Sequence, residues 1–179
     1  MITGCFITYV KIKNMKLKYI ALLLFMTFVS LSVEAQQEIQ TKPLMLGTVT
    51  KADFQKEPYI EWFEPEYQNY RLDTKTLYKI KDKVLKSEIK VYFGSWCSDS
   101  RREVPRFIKI LDFLGFNYDN VEFVALDRQK KAPRYKKNIY NIKYVPTFIF
   151  FDGNNEIGRI IESPEETLEK DMEKIFLSD

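Results

Sequence analysis

The stretch from Ile89 to Leu126 constrains the fold more than any other part of the chain. Ile89-Lys90-Val91-Tyr92-Phe93 is a short run of β-branched and aromatic residues, and Val121 to Leu126 is a second, nearly continuous in apolar character. Between them Val104, Phe107, Ile108, Leu111 and Leu114 recur at helical spacing. Strand, helix and strand in that order make a βαβ unit, which needs a parallel strand pair and a right-handed crossover. A strand apolar on both faces is one that is covered on both faces. Cys97 falls in the turn from Gly94 to Ser98, past the carboxyl end of the first strand and at the amino end of the helix. Open α/β sheets place their chemistry there.

The remaining pattern completes a small α/β sandwich with a mixed sheet. Asp73 or Thr74 caps a helix whose apolar face is Leu77, Ile80, Val84 and Leu85. The densely basic segment from Arg128 to Lys137 leads into a short helix near Pro133. Thr147 to Phe151 is a third strand, Asp152-Gly153 a turn, and Ile157 to Ile161 a fourth strand. A last helix is predicted from Ser163 as N-cap, Pro164 at the first helical position and Glu166 closing a capping box, with Leu168, Met172, Ile175 and Phe176 inside. Gln36 to Glu88 reads as polar and irregular ahead of that first helix, with Pro58 and Pro65 limiting helix formation around an aromatic cluster of Tyr59, Trp62, Phe63, Tyr67 and Tyr70. Those aromatics either pack over the sheet edge or present an interaction surface.

Lys16 and Lys18 lead into an apolar run from Tyr19 to Val33 that ends at Val33-Glu34-Ala35. The run is short for a bilayer-spanning helix of about 20 residues. With small residues where a signal peptidase reads, it is expected to be an export signal cleaved after Ala35, the alternative being an uncleaved anchor. Such a signal needs nothing from residues 1–14, which makes Met15 a candidate start. The expected organisation is therefore residues 1–35 as signal peptide, 36–72 as N-terminal extension and 73–179 as the α/β domain, exported to the periplasm. Cleavage removes Lys11, Lys13, Lys16, Lys18 and Glu34, so the 28 basic and 25 acidic residues become 24 of each. A neutral mature chain has no long-range basic field for nucleic acid. The basic segment at Arg128, Lys130, Lys131, Arg134, Lys136 and Lys137 then reads as a solvated helix face or as a receiver of an acidic partner.

No histidine occurs in the 179 residues. This excludes Ser-His-Asp and Cys-His nucleophile pairs and HExxH zinc sites within the chain. Of the two cysteines, Cys5 leaves with the signal, and Cys97 is left as a single thiol in a compartment where disulfides form. A thiol at a helix amino end faces unpaired N–H groups and the positive end of the dipole, which favour thiolate. Arg101 and Arg102 add to this, whereas Asp99 opposes it if its carboxylate faces the sulfur.

Val91-Tyr92-Phe93-Gly94-Ser95-Trp96-Cys97-Ser98-Asp99-Ser100, with Pro105 further along the helix, resembles the active-site strand, Trp-Cys turn and kinked helix of the thioredoxin superfamily. Tyr140 to Thr147, followed by Phe148-Ile149-Phe150-Phe151, is similar to that superfamily's cis-proline loop and the strand after it. The resemblance runs from about Ile89 to Leu177. It implies a thioredoxin-like three-layer α/β sandwich with a mixed central sheet, Pro146 cis beside Cys97, and the backbone of Val145 open to an extended substrate strand. The WCxDS form is similar to exported bacterial thioredoxin-like proteins.

Ser100 stands where thioredoxins carry their second cysteine, and Val91 where they carry a buried acid. Without a resolving thiol, attack of Cys97 on a disulfide stops at the mixed disulfide until an external thiol releases it. The expected activity is monothiol thiol-disulfide exchange on a protein or small thiol or disulfide. In it Cys97 is nucleophile, Ser100 a hydrogen-bond donor to the thiolate, and Trp96, Val145, Pro146 and Thr147 bind substrate, with Ser98, Asp99 and Arg101 in support. Neither cofactor, metal, nucleic acid nor membrane is expected after cleavage, and a monomer is favoured. The alternative is a non-catalytic module that binds an envelope protein through the same fold.

Overall fold

The computed structural model describes residues 43–133 and 140–178. Five strands, β1 Gly47–Val49, β2 Glu88–Phe93, β3 Val121–Ala125, β4 Thr147–Asp152 and β5 Asn155–Ile161, form one sheet in the order β1-β3-β2-β4-β5. The β2–β3 pair is parallel and the other three pairs are antiparallel, so the sheet is mixed. The helices are α1 Lys51–Phe54, α2 Ile60–Asn69, α3 Thr74–Val84, α4 Ser98–Leu114 and α5 Leu168–Leu177.

Local chemistry sets most of these boundaries. Asp73 caps α3 by accepting the N–H of Thr76 at 3.1 Å, and Leu77, Ile80 and Val84 are buried as their spacing predicts. Helix α4 closes on Gly115, whose φ of 74° is the left-handed conformation that glycine supplies without a Cβ penalty. On one face of the sheet Val91, Phe93, Phe123, Phe148 and Phe150 meet side chains from every helix, among them Phe54, Phe63, Leu77, Phe107 and Met172. The Phe107 and Phe148 rings lie 4.6 Å apart. On the other face Tyr92, Val124, Leu126, Ile149 and Phe151 pack under Ile142, Val145 and the half-buried Trp96, Ala132 and Tyr140. The expected thioredoxin-like α/β sandwich with a mixed central sheet is present.

Three local expectations change. The 43–72 segment is not irregular: it supplies β1, α1 and α2, and Pro65 sits inside α2. Pro65 is on the exposed side of that helix, so its missing N–H is no buried loss, while burial of Phe63 and packing of Trp62 and Tyr67 on the core hold the helix. The last helix starts at Leu168 rather than beside Ser163. Thr167 is its N-cap, and the Asp171 carboxylate instead takes the N–H groups of Glu165 and Glu166 at 2.6 and 3.3 Å. The hairpin turn is Gly153-Asn154, with Asp152 paired to Asn155 in the ladder. The export signal lies outside the described residues, and the short helix expected near Pro133 falls largely on residues 134–139, also outside them.

The aromatic cluster packs inward. Phe63 is buried, and Tyr59, Trp62, Tyr67 and Tyr70 lie against the core. Asp112 on α4 anchors this region by accepting from Lys51 Nζ at 2.6 Å, Tyr67 at 2.6 Å and Tyr118 at 2.9 Å. Burial, followed by the hydrogen bond to Asp112, pushes the Tyr67 hydroxyl up to about 12. Burial and the nearby Asp112 charge likewise raise Tyr118.

Candidate functional site

Strand β2 ends at Phe93, and the chain turns through Gly94, Ser95 and Trp96 to place Cys97 as the N-cap residue of α4. The Cys97 N–H donates to the Gly94 carbonyl at 2.9 Å and its carbonyl accepts from Arg101 at 3.1 Å, which fixes the backbone under the sulfur. The thiol is half-buried and points at the Val145 carbonyl, Sγ to oxygen 3.2 Å. Parallel pairing of β2 with β3 and antiparallel pairing with β4 bring these residues together, because Tyr92 lies opposite Thr147.

The facing loop is held at both ends. Pro146 follows a cis peptide bond, and its carbonyl accepts from the Glu162 N–H at 2.7 Å. Thr147 donates its hydroxyl to the Tyr144 carbonyl at 2.8 Å. Val145, Pro146 and Thr147 are buried, whereas Tyr144 is exposed beside them. The Val145 N–H has no partner among the described residues.

Ser100 is fully buried, and its hydroxyl oxygen accepts the Gly94 N–H at 3.1 Å. Its observed hydrogen bond supports the turn, and none is seen between it and Cys97. Ser98 is exposed at the start of α4. Asp99 is turned toward Arg102, 2.9 Å away, so its charge is paired. Arg102 also binds Glu103 at 2.6 Å, the main reason its guanidinium holds its proton more firmly than usual. Arg101 donates Nε–H to the Ser95 carbonyl at 2.6 Å.

Trp96 covers the other side of the turn, its indole N–H donating to the Leu126 carbonyl at 2.9 Å. A Cβ at Gly94 would lie 2.7 Å from that indole, so the close approach requires glycine. The Arg128 guanidinium and the Lys130 ammonium sit 5.0 and 4.8 Å from the Trp96 ring centroid. Sequence reasoning missed Ser95, whose hydroxyl oxygen accepts the Met45 N–H at 3.0 Å and ties the N-terminal strand region to the site. A partner 50 residues away leaves no local signal. Among the described residues no cluster of three or more metal-ligating side chains occurs, and no helix is long and apolar enough to cross a membrane.

Chemically, the arrangement offers one reachable thiol, a backbone donor and an exposed aromatic beside it, and no second thiol among the described residues. No family model matches the chain. Thioredoxin H5 of Oryza sativa subsp. japonica is 26% identical over 90 residues, 50% of this chain and 62% of that protein. Thioredoxin H2 of Arabidopsis thaliana is 30% identical over 84 residues, 47% of this chain and 59% of that protein. The chain thus spans about three fifths of the length of the curated relatives it matches. A crystal structure of a protein of unknown function from Pseudomonas aeruginosa superposes with a TM-score of 0.50 at 14% identity, over 69% of this chain and 76% of that one, a likeness of fold.

Proposed function

We propose that this chain, a thioredoxin-superfamily homologue, is an exported protein that performs monothiol thiol-disulfide exchange through Cys97. The observation that carries the reading is the Cys97 thiol at the amino end of α4, 3.2 Å from the Val145 carbonyl, with Ser100 where a second cysteine would stand. The substrate is a disulfide R–S–S–R′ in a protein or small thiol compound. The Cys97 thiolate attacks one sulfur, a Cys97–S–S–R bond forms, the old S–S bond breaks, and R′–S⁻ leaves and takes a proton from solvent. An external thiol then attacks the mixed disulfide, forms its own disulfide with R and returns the Cys97 thiolate. The N-cap position places the attacking sulfur at the start of α4, beside the Val145 backbone. An extended substrate segment pairs with the Val145 N–H beside the sulfur, and Trp96 shields the bond from water. Asp99 does not oppose the anion because Arg102 neutralises it.

The test is incubation of the protein with a peptide disulfide, followed by intact mass. A mixed adduct that Cys97→Ser cannot form is expected, and absence of any adduct in the unsubstituted protein overturns the reading. Ser100→Cys sharpens it: the thiol introduced at that position should attack the mixed disulfide, form an internal disulfide with Cys97 and expel R–S⁻ without external thiol, so the adduct becomes short-lived. Export is tested by whether the chain expressed with its leader is recovered outside the cytoplasm and begins at Gln36.

A further inference from the structure

Three cations crowd the two residues that precede Cys97. Arg101 is bonded to the Ser95 carbonyl at 2.6 Å, and Arg128 and Lys130 lie 5.0 and 4.8 Å from the Trp96 ring centroid. None of the three forms an ion pair among the described residues, whereas Arg102, Arg106 and Arg159 each hold a carboxylate. The turn that carries Arg128 and Lys130 is rigidly built. The Asp127 Oδ1 accepts the N–H groups of Gln129 and Lys131 at 2.8 and 2.9 Å, Asp127 N–H donates to the Lys131 carbonyl at 2.8 Å, and Lys130 adopts a positive φ of 61°. The indole on which both cations rest is itself anchored to Leu126. Asp99 is held by Arg102, Asp127 keeps its charge while bonding the N–H groups of its own turn, and Glu61 lines the same pocket as Arg101, so the three cations exceed the two carboxylates beside them.

We propose that this cationic rim selects disulfide partners whose reacting cysteine is flanked by acidic residues. The inference rests on the thiol-exchange reading and names the substrate class of that site. Arg128 and Arg101 present planar guanidinium donors suited to a carboxylate, Lys130 adds a mobile point charge, and fixed cations at a site raise the encounter rate with an anionic partner. The exchange is unchanged: the substrate disulfide opens, the Cys97–S–S–peptide bond forms and the leaving thiolate departs, with no other oxidant or reductant.

The probes are three peptides in which Glu, Gln or Lys residues flank a cysteine activated as its thiopyridyl disulfide. Release of pyridine-2-thione is timed, and each rate is divided by that of the same peptide with a small neutral thiol. At low ionic strength the Glu peptide is expected to react about tenfold faster than the Gln peptide, and the Lys peptide more slowly. In ~1 M salt, where the screening length is ~3 Å, the ratio should approach one. Arg128→Gln with Lys130→Gln should bring the low-salt ratio toward one, and the salt dependence of the unsubstituted chain tests the same point without any substitution. Equal normalised rates for the Glu and Gln peptides in low salt overturn this inference and leave the thiol-exchange reading standing. Failure of every peptide to react with Cys97 overturns both.

Discussion

The two faces of the sheet are covered in different ways. One face meets five helices and holds the large cluster built on Val91, Phe93, Phe107, Phe148 and Phe150. The other holds a smaller cluster of Tyr92, Val124, Leu126, Ile142, Val145, Ile149 and Phe151, and the side chains that close it include Trp96 and Cys97 themselves. The helical face gives the rigidity that fixes β2 and α4. Among the described residues the second face is covered by loop and turn side chains, and the thiol at the end of β2 is half-buried. Cys97 therefore stands at the junction of a layer packed by helices and one whose described cover is loop and turn.

The largest effect that would break this contrast is in the helical layer. Phe107→Ala removes a fully buried ring packed on Phe148 and should cost about 3–5 kcal/mol in urea unfolding. Ile149→Ala on the opposite face is equally buried, yet should cost less, about 2–3 kcal/mol, because loop cover collapses more readily than packed helices. Equal costs would remove the distinction between the faces. Gly94→Ala should cost about 1–3 kcal/mol, since the new methyl must push the Trp96 indole away, and it should slow adduct formation at Cys97 more than a substitution of similar cost in α3. Ser100→Ala leaves the buried Gly94 N–H without its acceptor and should cost about 1 kcal/mol, with Cys97 still forming adducts. The smallest effect is alkaline. Tyr67, pushed up to about 12, keeps its proton in the folded chain where an unfolded tyrosine, ordinarily near 10.0, ionises. Its contribution is complete below pH 10, declines as pH rises toward 12, and should be missing from the pH–stability profile of Tyr67→Phe.

Much of the scaffold was legible because its signals are local. The Leu77-Ile80-Val84 face, the Asp73 cap and the α4 face of Val104, Phe107, Ile108, Leu111 and Leu114 are properties of residues three, four or seven apart, and all are realised. Phe54 was not legible: it is fully buried among Phe63, Trp62, Phe93 and Phe123, yet it lies in a four-residue helix with no periodicity to announce it. A different reason hid α2, where Pro65 signals a break and tertiary burial overrides it. At Ser163-Pro164 a sound local capping signal lost to Thr167 and to the Asp171 carboxylate, which gathers the N–H groups of Glu165 and Glu166.

By itself the sequence determined that a thiol follows a strand and opens a helix, that position 100 holds a hydroxyl rather than a second thiol, and that no imidazole is present to act as base. These are facts of identity and spacing. Tertiary structure decided what each group faces. The Cys97 sulfur meets a carbonyl 48 residues away, Ser100 turns to Gly94 instead of the sulfur, Asp99 is spent on Arg102, and Arg128 and Lys130 come to rest on Trp96. The Cys97–Val145 contact depends on the β2–β4 register and the placement of Arg128 and Lys130 on the turn closed by Asp127, and a one-residue slip in that register would send every β4 side chain to the opposite face.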